Sequence, residues 1–191
     1  MTGRLFYKEE KVNIMFKIKR SGRNDTDLLV GLRLKALKEV NKLGSDYNFP
    51  ESFVSETRTF FQREDQTTVI AYDEEVVGCA TMCCLDLMPT FDHPGGKRAH
   101  IMNVYVDPSH RRQGIASVML GLLVDEAKNK GITEITLDST EAGRELYLKN
   151  GFRPMEKRMS MDINELLRDS IEHTGIYSSV CRSCSGCRNK E

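Results

Sequence analysis

The sequence predicts an α/β domain with a mixed, partly parallel sheet and helices on both of its faces. Three observations predict it. Short apolar stretches that read as strands recur along the chain, some with period-two alternation. Stretches of helical period separate them, in the order βααβββαβαβ. The strongest helix, Gly114 to Lys130, lies between two strand-like runs, as a partly parallel sheet requires.

The elements follow in chain order. Ile14 to Ile18 alternates apolar residues with Asn13, Lys17 and Lys19, which suggests a first strand; residues 1–13 precede it as an extension, and Met15 is an alternative start. The polar run Ser21 to Asp27 can cap a helix, and Leu29, Leu32, Ala36, Val40 and Leu43 then recur at helical spacing up to Gly44. Pro50 suits the first turn of a second helix carrying Phe53, Phe60 and Phe61. Thr67 to Tyr72 and Val76 to Leu87 read as strands joined through Asp73-Glu74-Glu75. Met88 to Lys97 holds two prolines and two glycines and reads as a loop, followed by a strand from Arg98 to Val106. In the helix from Gly114, residues Ile115, Val118, Met119, Leu122, Leu123 and Ala127 form an apolar stripe, and Gly131 suits its end. Ile132 to Leu137 is a strand, Glu141 to Asn150 a short helix ending at Gly151, and Met155 to Ile163 a last strand region.

At 191 residues the chain is long enough for one domain with a single core. The expected organisation is an extension (1–13), the domain (14–163) and a polar tail (164–191). Lys plus Arg is 28 and Asp plus Glu is 28, so charge gives no general reason to bind nucleic acid or an anionic membrane. No apolar run approaches the roughly 20 residues that span a bilayer, and the N-terminus lacks the apolar region of a secretory signal. Cys79, Cys83 and Cys84 fall in a strand-like run, and Cys181, Cys184 and Cys187 crowd the tail. That is no disulfide framework, so the expected location is a reducing cytoplasm. The tail thiols with His173 offer a Cys₃His donor set, but their spacing is not that of a zinc ribbon, and no metal is expected to be required. A homodimer is compatible with the sequence.

The chemistry concentrates in Val104 to Ala116, VYVDPSHRRQGIA. Pro108 ends a strand, because proline cannot donate to a ladder. A tight polar segment follows, then Gly114 and the long helix. The first N–H groups of a helix have no partners inside it, and the helix dipole makes that end positive. Strand, short loop and helix start therefore form an anion site, with Gly114 admitting the anion and Arg111 and Arg112 as charge-assisted donors.

This string resembles the acetyl-CoA-binding motif of the GNAT superfamily of N-acetyltransferases. The motif is an apolar strand, V-x-P, then R-x-x-G-x-G/A opening a helix; Arg111, Gly114 and Ala116 fall on its signature positions. The resemblance implies a central sheet of about six to seven strands and acetyl-CoA as cosubstrate. It implies that backbone N–H groups across Arg111, Arg112, Gln113, Gly114, Ile115 and Ala116 hold the CoA pyrophosphate. It also implies that the strand at Ile101 to Val106 splays from that at Ile132 to Leu137, with pantetheine pairing to backbone at Val104, Tyr105 and Val106. Leu146 to Phe152, LYLKNGF, is similar to the family's L-Y-x-x-x-G-F segment, whose tyrosine is read as the general acid that protonates the departing thiolate. Tyr147 takes that role here. Many members carry asparagine seven residues earlier; here Thr140 stands there, able to bond pantetheine or cap the helix.

The acceptor amine must lose a proton to attack. His100 falls where some family branches carry a carboxylate base; Asp86 and Glu141 are alternatives, and His93 could touch substrate. Residues Leu28 to Phe61 and Met88 to Lys97 occupy the regions that set specificity in the family. Their mixed charges leave the acceptor open among a small amine, an amino acid and a protein N-terminus. The expected function is acetyl transfer to an amine, the alternative a non-catalytic acyl-CoA-binding module. A nucleotide-binding domain is disfavoured, since no Walker lysine follows Gly114.

Overall fold

Five of the apolar stretches pair into one sheet in the computed structural model, which describes residues 16–156 and 158–163. The chain divides into two units, Met1–Phe152 and Arg153–Glu191. In the first, β1 (Lys17–Arg20) leads through a 3₁₀ turn (Arg23–Asp25) into α1 (Thr26–Val40) and α2 (Glu51–Phe61). Next come β2 (Gln66–Asp73), β3 (Glu75–Asp86) and β4 (Lys97–Val106), then a 3₁₀ turn (Pro108–His110), α3 (Ile115–Asn129), β5 (Glu134–Leu137) and α4 (Glu141–Lys149).

Spatial order follows chain order, β1-β2-β3-β4-β5. The first four strands pair antiparallel because short connections or the α1–α2 excursion join them; β5 pairs parallel to β4 because α3 crosses over between them. The turn between β2 and β3 places Glu74 at φ 59°, the left-handed backbone that a tight reversal needs. Gly131 ends α3 at φ 69°, where a side chain would be strained.

The two faces of the sheet carry separate cores, as helices on both faces require. On one, α3 buries Ile115, Met119, Leu120, Leu123 and Ala127 against Val69, Ala71, Met82, Ala99 and Ile101. Each large side chain so buried contributes about 1.5–3 kcal/mol. Leu146, Tyr147 and Phe152 pack on the same cluster. On the other face, α1 and α2 set Leu29, Val30, Leu32, Ala36 and Phe61 over Ile70, Cys79 and Tyr105.

Among the described residues the sheet stops at five strands, against the expected six to seven. The difference lies in the second unit, where Met155 to Ile163 was expected as a strand. Its described residues form none, and Met155, Met159, Met161 and Ile163 are exposed. Apolar alternation there is real, but alternation by itself does not make a strand. The extension at 1–13, the alternative start at Met15, and the tail with its thiols and His173 lie outside the described residues. Among the described residues no helix is long and apolar enough to cross a membrane.

Candidate active site

β4 is paired on both edges for only part of its length. On the β5 side the register runs from Arg98↔Glu134 to Ile101↔Leu137 and stops, because β5 ends at Leu137. From Met102 to Val106, β4 continues with β3 alone beside it. A bulge marks the same point: Cys79 pairs with Tyr105 but Thr81 with Met102, so β4 holds one residue more than β3. The extra residue is accommodated at Asn103, φ 54°, in a left-handed conformation that asparagine tolerates better than most residues. Asn103 is fastened there: its Nδ2 donates to Cys79 Sγ at 3.5 Å, and its carbonyl accepts from that thiol at 3.7 Å. Bulge and early end of β5 together open a gap lined by unpaired backbone of β4.

The gap runs into the loop before α3. The Asp107 carboxylate accepts from Ser109 N (3.1 Å), Ser109 Oγ (2.6 Å) and Lys35 Nζ (2.6 Å), which fix the turn. These donors hold its carboxyl well below the usual carboxylate range. Arg112 stands at φ 65° and Gly114 at φ 82°. Such alternation of backbone sense points successive N–H groups to one side. The amides of Arg112, Gln113, Gly114, Ile115, Ala116 and Ser117 have no hydrogen-bond partner among the described residues; the ladder of α3 begins only with Val118 N donating to Gly114 O at 3.1 Å. Open space faces Gly114, so only its positive φ, not crowding, demands glycine. A run of orphan donors at the positive end of a 15-residue helix suits a pyrophosphate.

The side chains of the loop are less free than the sequence suggested. Arg111 Nε donates to Val106 O at 3.0 Å, and its Nη2 bonds Glu39. Its guanidinium thus ties the loop to α1. Tyr105 turns its ring into the α1 face, 5 % exposed, and its carbonyl lies toward Gly78 of β3; Val104 and Val106 lean on the α3 face. Thr140 caps α4, its Oγ1 accepting from Gly143 N at 3.2 Å.

Tyr147 lies one helical turn beyond Gly143, its ring edge against that glycine and 6.0 Å edge-to-face from Phe152. Asn150 Nδ2 donates to Ser117 Oγ at 3.0 Å, joining the end of α4 to the first turn of α3. Tyr147 is therefore carried on a helix anchored at the anion loop. Its hydroxyl makes no hydrogen bond among the described residues, and burial raises its pKa. A phenol so placed stays protonated at neutral pH and can donate.

His100 stands on β4 one pair before the gap opens, opposite Thr136. Ala99 and Ile101 face the α3 core, so alternation turns His100 to the α1 side. Thr136 Oγ1 donates to the Ala99 carbonyl at 3.3 Å, and its single proton is thereby used. With that proton on the carbonyl, His100 Nδ1, 2.9 Å from the hydroxyl, donates to it. In that tautomer Nε2 carries the free lone pair, and it lies 3.6 Å from Asp138 Oδ2, where an imidazolium would find a counter-charge. Thr136 and Asp138 were missed from sequence, because only the parallel register brings them to His100. Asn103 left a trace: apolar positions at 99 and 101, then 104 and 106, shift phase by one residue. Of the alternatives to His100, Asp86 ends β3 opposite Lys97 and Glu141 opens α4; His93, the expected substrate contact, bonds Thr133 Oγ1 (2.9 Å).

Gap, donor run and phenol are the features of one class of protein. The chain belongs to the acetyltransferase (GNAT) family, whose sequence model matches residues 34–152. Among curated relatives, a glucosamine 6-phosphate N-acetyltransferase of Trypanosoma brucei brucei is 34% identical over 88 residues, 46% of this chain and 58% of that protein. A probable glucosamine 6-phosphate N-acetyltransferase 2 of Oryza sativa subsp. japonica is 36% identical over 80 residues, 42% of this chain and 47% of that protein. The chain thus spans about half the length of these relatives. Among solved structures, a predicted acetyltransferase of Clostridium acetobutylicum, crystallised with acetyl-CoA, superposes with a TM-score of 0.71. It is 26% identical, over 78% of this chain and 97% of that one.

Proposed function

We propose that this protein transfers the acetyl group of acetyl-CoA to an amine by direct attack in the gap beside β4. One observation carries the proposal: the unpaired edge of β4, Met102 to Val106, leads into the orphan N–H groups of 112–117. A chain of amides beside a pyrophosphate is the shape of CoA, and an open edge followed by a donor cluster fits both parts. Backbone at Val104, Tyr105 and Val106 pairs the pantetheine amides; the loop from Arg111 to Ala116 takes the pyrophosphate. Thr140, which caps α4, steadies the helix that carries the acid.

The amine attacks from the α1 side of the sheet, where His100 Nε2 receives its proton, directly or through water. The thioester carbonyl becomes tetrahedral, then collapses with loss of the CoA thiolate. Tyr147, on the opposite side of the gap, protonates that sulfur. Acid and base on opposite faces keep the two proton transfers apart. No metal enters the scheme. Glucosamine 6-phosphate, for which two relatives are named, is the first amine to try. The test is thiol release from acetyl-CoA across an amine panel with the full chain. Turnover with at least one amine is expected; binding of acetyl-CoA without turnover by any amine would instead favour a non-catalytic acyl-CoA module.

A further inference from the structure

The α1 side of the gap holds a charge that no carboxylate among the described residues balances. Other cations on and beside α1 have close partners: Lys35 pairs with Asp107, Arg58 with Asp27 and Arg111 with Glu39, and Lys38 donates to the Ser45 carbonyl at 2.7 Å. Arg33 has no such close partner among the described residues. It lies on α1 between the buried Leu32 and Ala36, itself half-buried, with burial lowering its pKa. Its one polar contact is Nη1 to Asn103 Oδ1 at 3.4 Å, long for a hydrogen bond, and no carboxylate pairs with it among the described residues. The ionisable group beside it is the Cys79 thiol, which burial pushes up to about 12 and so keeps neutral. A guanidinium removed from water without a counter-ion is costly, whereas an exposed one is not. Exposed Lys35 and Arg111 nearby have carboxylate partners, whereas this sheltered cation has none among the described residues.

Its position gives the charge a use. Asn103 is the bulge residue at the gap, three residues along β4 from His100, or about 10 Å of strand. Both side chains lie on the α1 side: His100 by alternation, Asn103 by its contacts with Cys79 and Arg33. A small molecule with its amine at His100 can therefore reach Arg33 with another group. Resting on the acetyl-transfer reading above, we propose that Arg33 binds an anionic group of the acceptor, a carboxylate or a phosphate ester. The substrates are then small amines that carry a negative charge. A guanidinium fork takes either anion through two parallel N–H groups, and Asn103 steadies the arginine rather than satisfying it.

Matched acceptors test this with the full chain, by thiol release from acetyl-CoA. One pair is an amino acid and its carboxamide; the other is glucosamine 6-phosphate and glucosamine. The wild type should prefer the anionic member of one pair by about tenfold or more in kcat/KM, as loss of a charge-assisted contact implies. Which pair shows the preference tells carboxylate from phosphate. Arg33→Gln should collapse that ratio toward one, chiefly through KM, and Arg33→Lys should restore part of it. Equal or better turnover of the neutral members by wild type would overturn the proposal and leave acetyl transfer standing. So would an Arg33→Gln variant that slows both members equally, for then the arginine only supports the bulge. Failure of acetyl transfer itself reads differently: no thiol is released with any member of either pair, and the inference falls with it.

Discussion

The α3 side and the α1 side of the gap are built from different material. Toward α3 the chain offers backbone: orphan amides from 112 to 117 and the open edge of β4. The side chains there mostly hold the loop in shape, as Asp107 does with Ser109 and Arg111 with Val106. Toward α1 the chain offers side chains: His100 on Thr136, and Arg33 on Asn103. A backbone site accepts any ligand of the right outline, whereas a side-chain site can change from one relative to the next. An enzyme with a fixed donor and a variable acceptor would be divided in this way.

Substitutions can break that comparison. The largest effect is expected between the halves, at Tyr147. Tyr147→Phe keeps the ring on Gly143 and Phe152 but removes the proton donor, so turnover should fall on the order of 10²–10⁴-fold with acetyl-CoA affinity nearly kept. Steady-state rates beside calorimetry separate the two. A loss wholly in affinity would make the hydroxyl a binding contact. Because burial raises the Tyr147 pKa, its protonated form persists above the usual value of about 10. Activity should therefore lose this acid only at strongly alkaline pH, a limb absent from the pH profile of Tyr147→Phe.

Gly114→Glu comes next. Space is open at that position, but φ 82° strains any other residue and the carboxylate would repel phosphate. Affinity for acetyl-CoA should drop by about 10–100-fold, the equivalent of one or two charge-assisted contacts, in a domain that still folds. Arg112→Ala sharpens the contrast. If backbone carries the phosphate, losing this exposed side chain should cost only about two- to fivefold in affinity. A loss as large as that of Gly114→Glu would move the site from backbone to side chain.

The smallest effect is structural. Asp107→Ala releases Lys35 and Ser109 and should cost about 1 kcal/mol or less, a fall of roughly 2–4 °C in melting temperature. The sign with pH is fixed. The folded pKa of Asp107 lies below its unfolded value of about 3.9, so its contribution is complete above that value and is lost as pH falls. Wild type and variant should converge in stability in acid; a constant difference down to pH 2 would assign the effect to packing.

The same division decides what could be read from sequence. The donor run was legible because local chemistry makes it: Pro108 stops a strand, Gly114 takes a positive φ, and α3 begins at once. Tyr147 was legible through its neighbours Gly151 and Phe152 in a contiguous segment. The surroundings of His100 were not, because Thr136 and Asp138 reach it only through a parallel register set by a 15-residue crossover helix. Arg33 carried a faint signal, a cation among the apolar residues of α1, but a helical pattern does not tell a sheltered charge from a snorkelling one. Met155 to Ile163 shows the reverse: it alternates, yet its described residues form no strand, because alternation alone does not make one.

Backbone at two defined places is expected to receive acetyl-CoA. Amide hydrogen exchange with and without saturating acetyl-CoA tests it residue by residue. Slowed exchange is expected at 112–117 and along the open edge of β4 from 102 to 106, with little change at the paired residues 98–101. Protection confined to other segments, or none at a concentration where calorimetry shows binding, would contradict it.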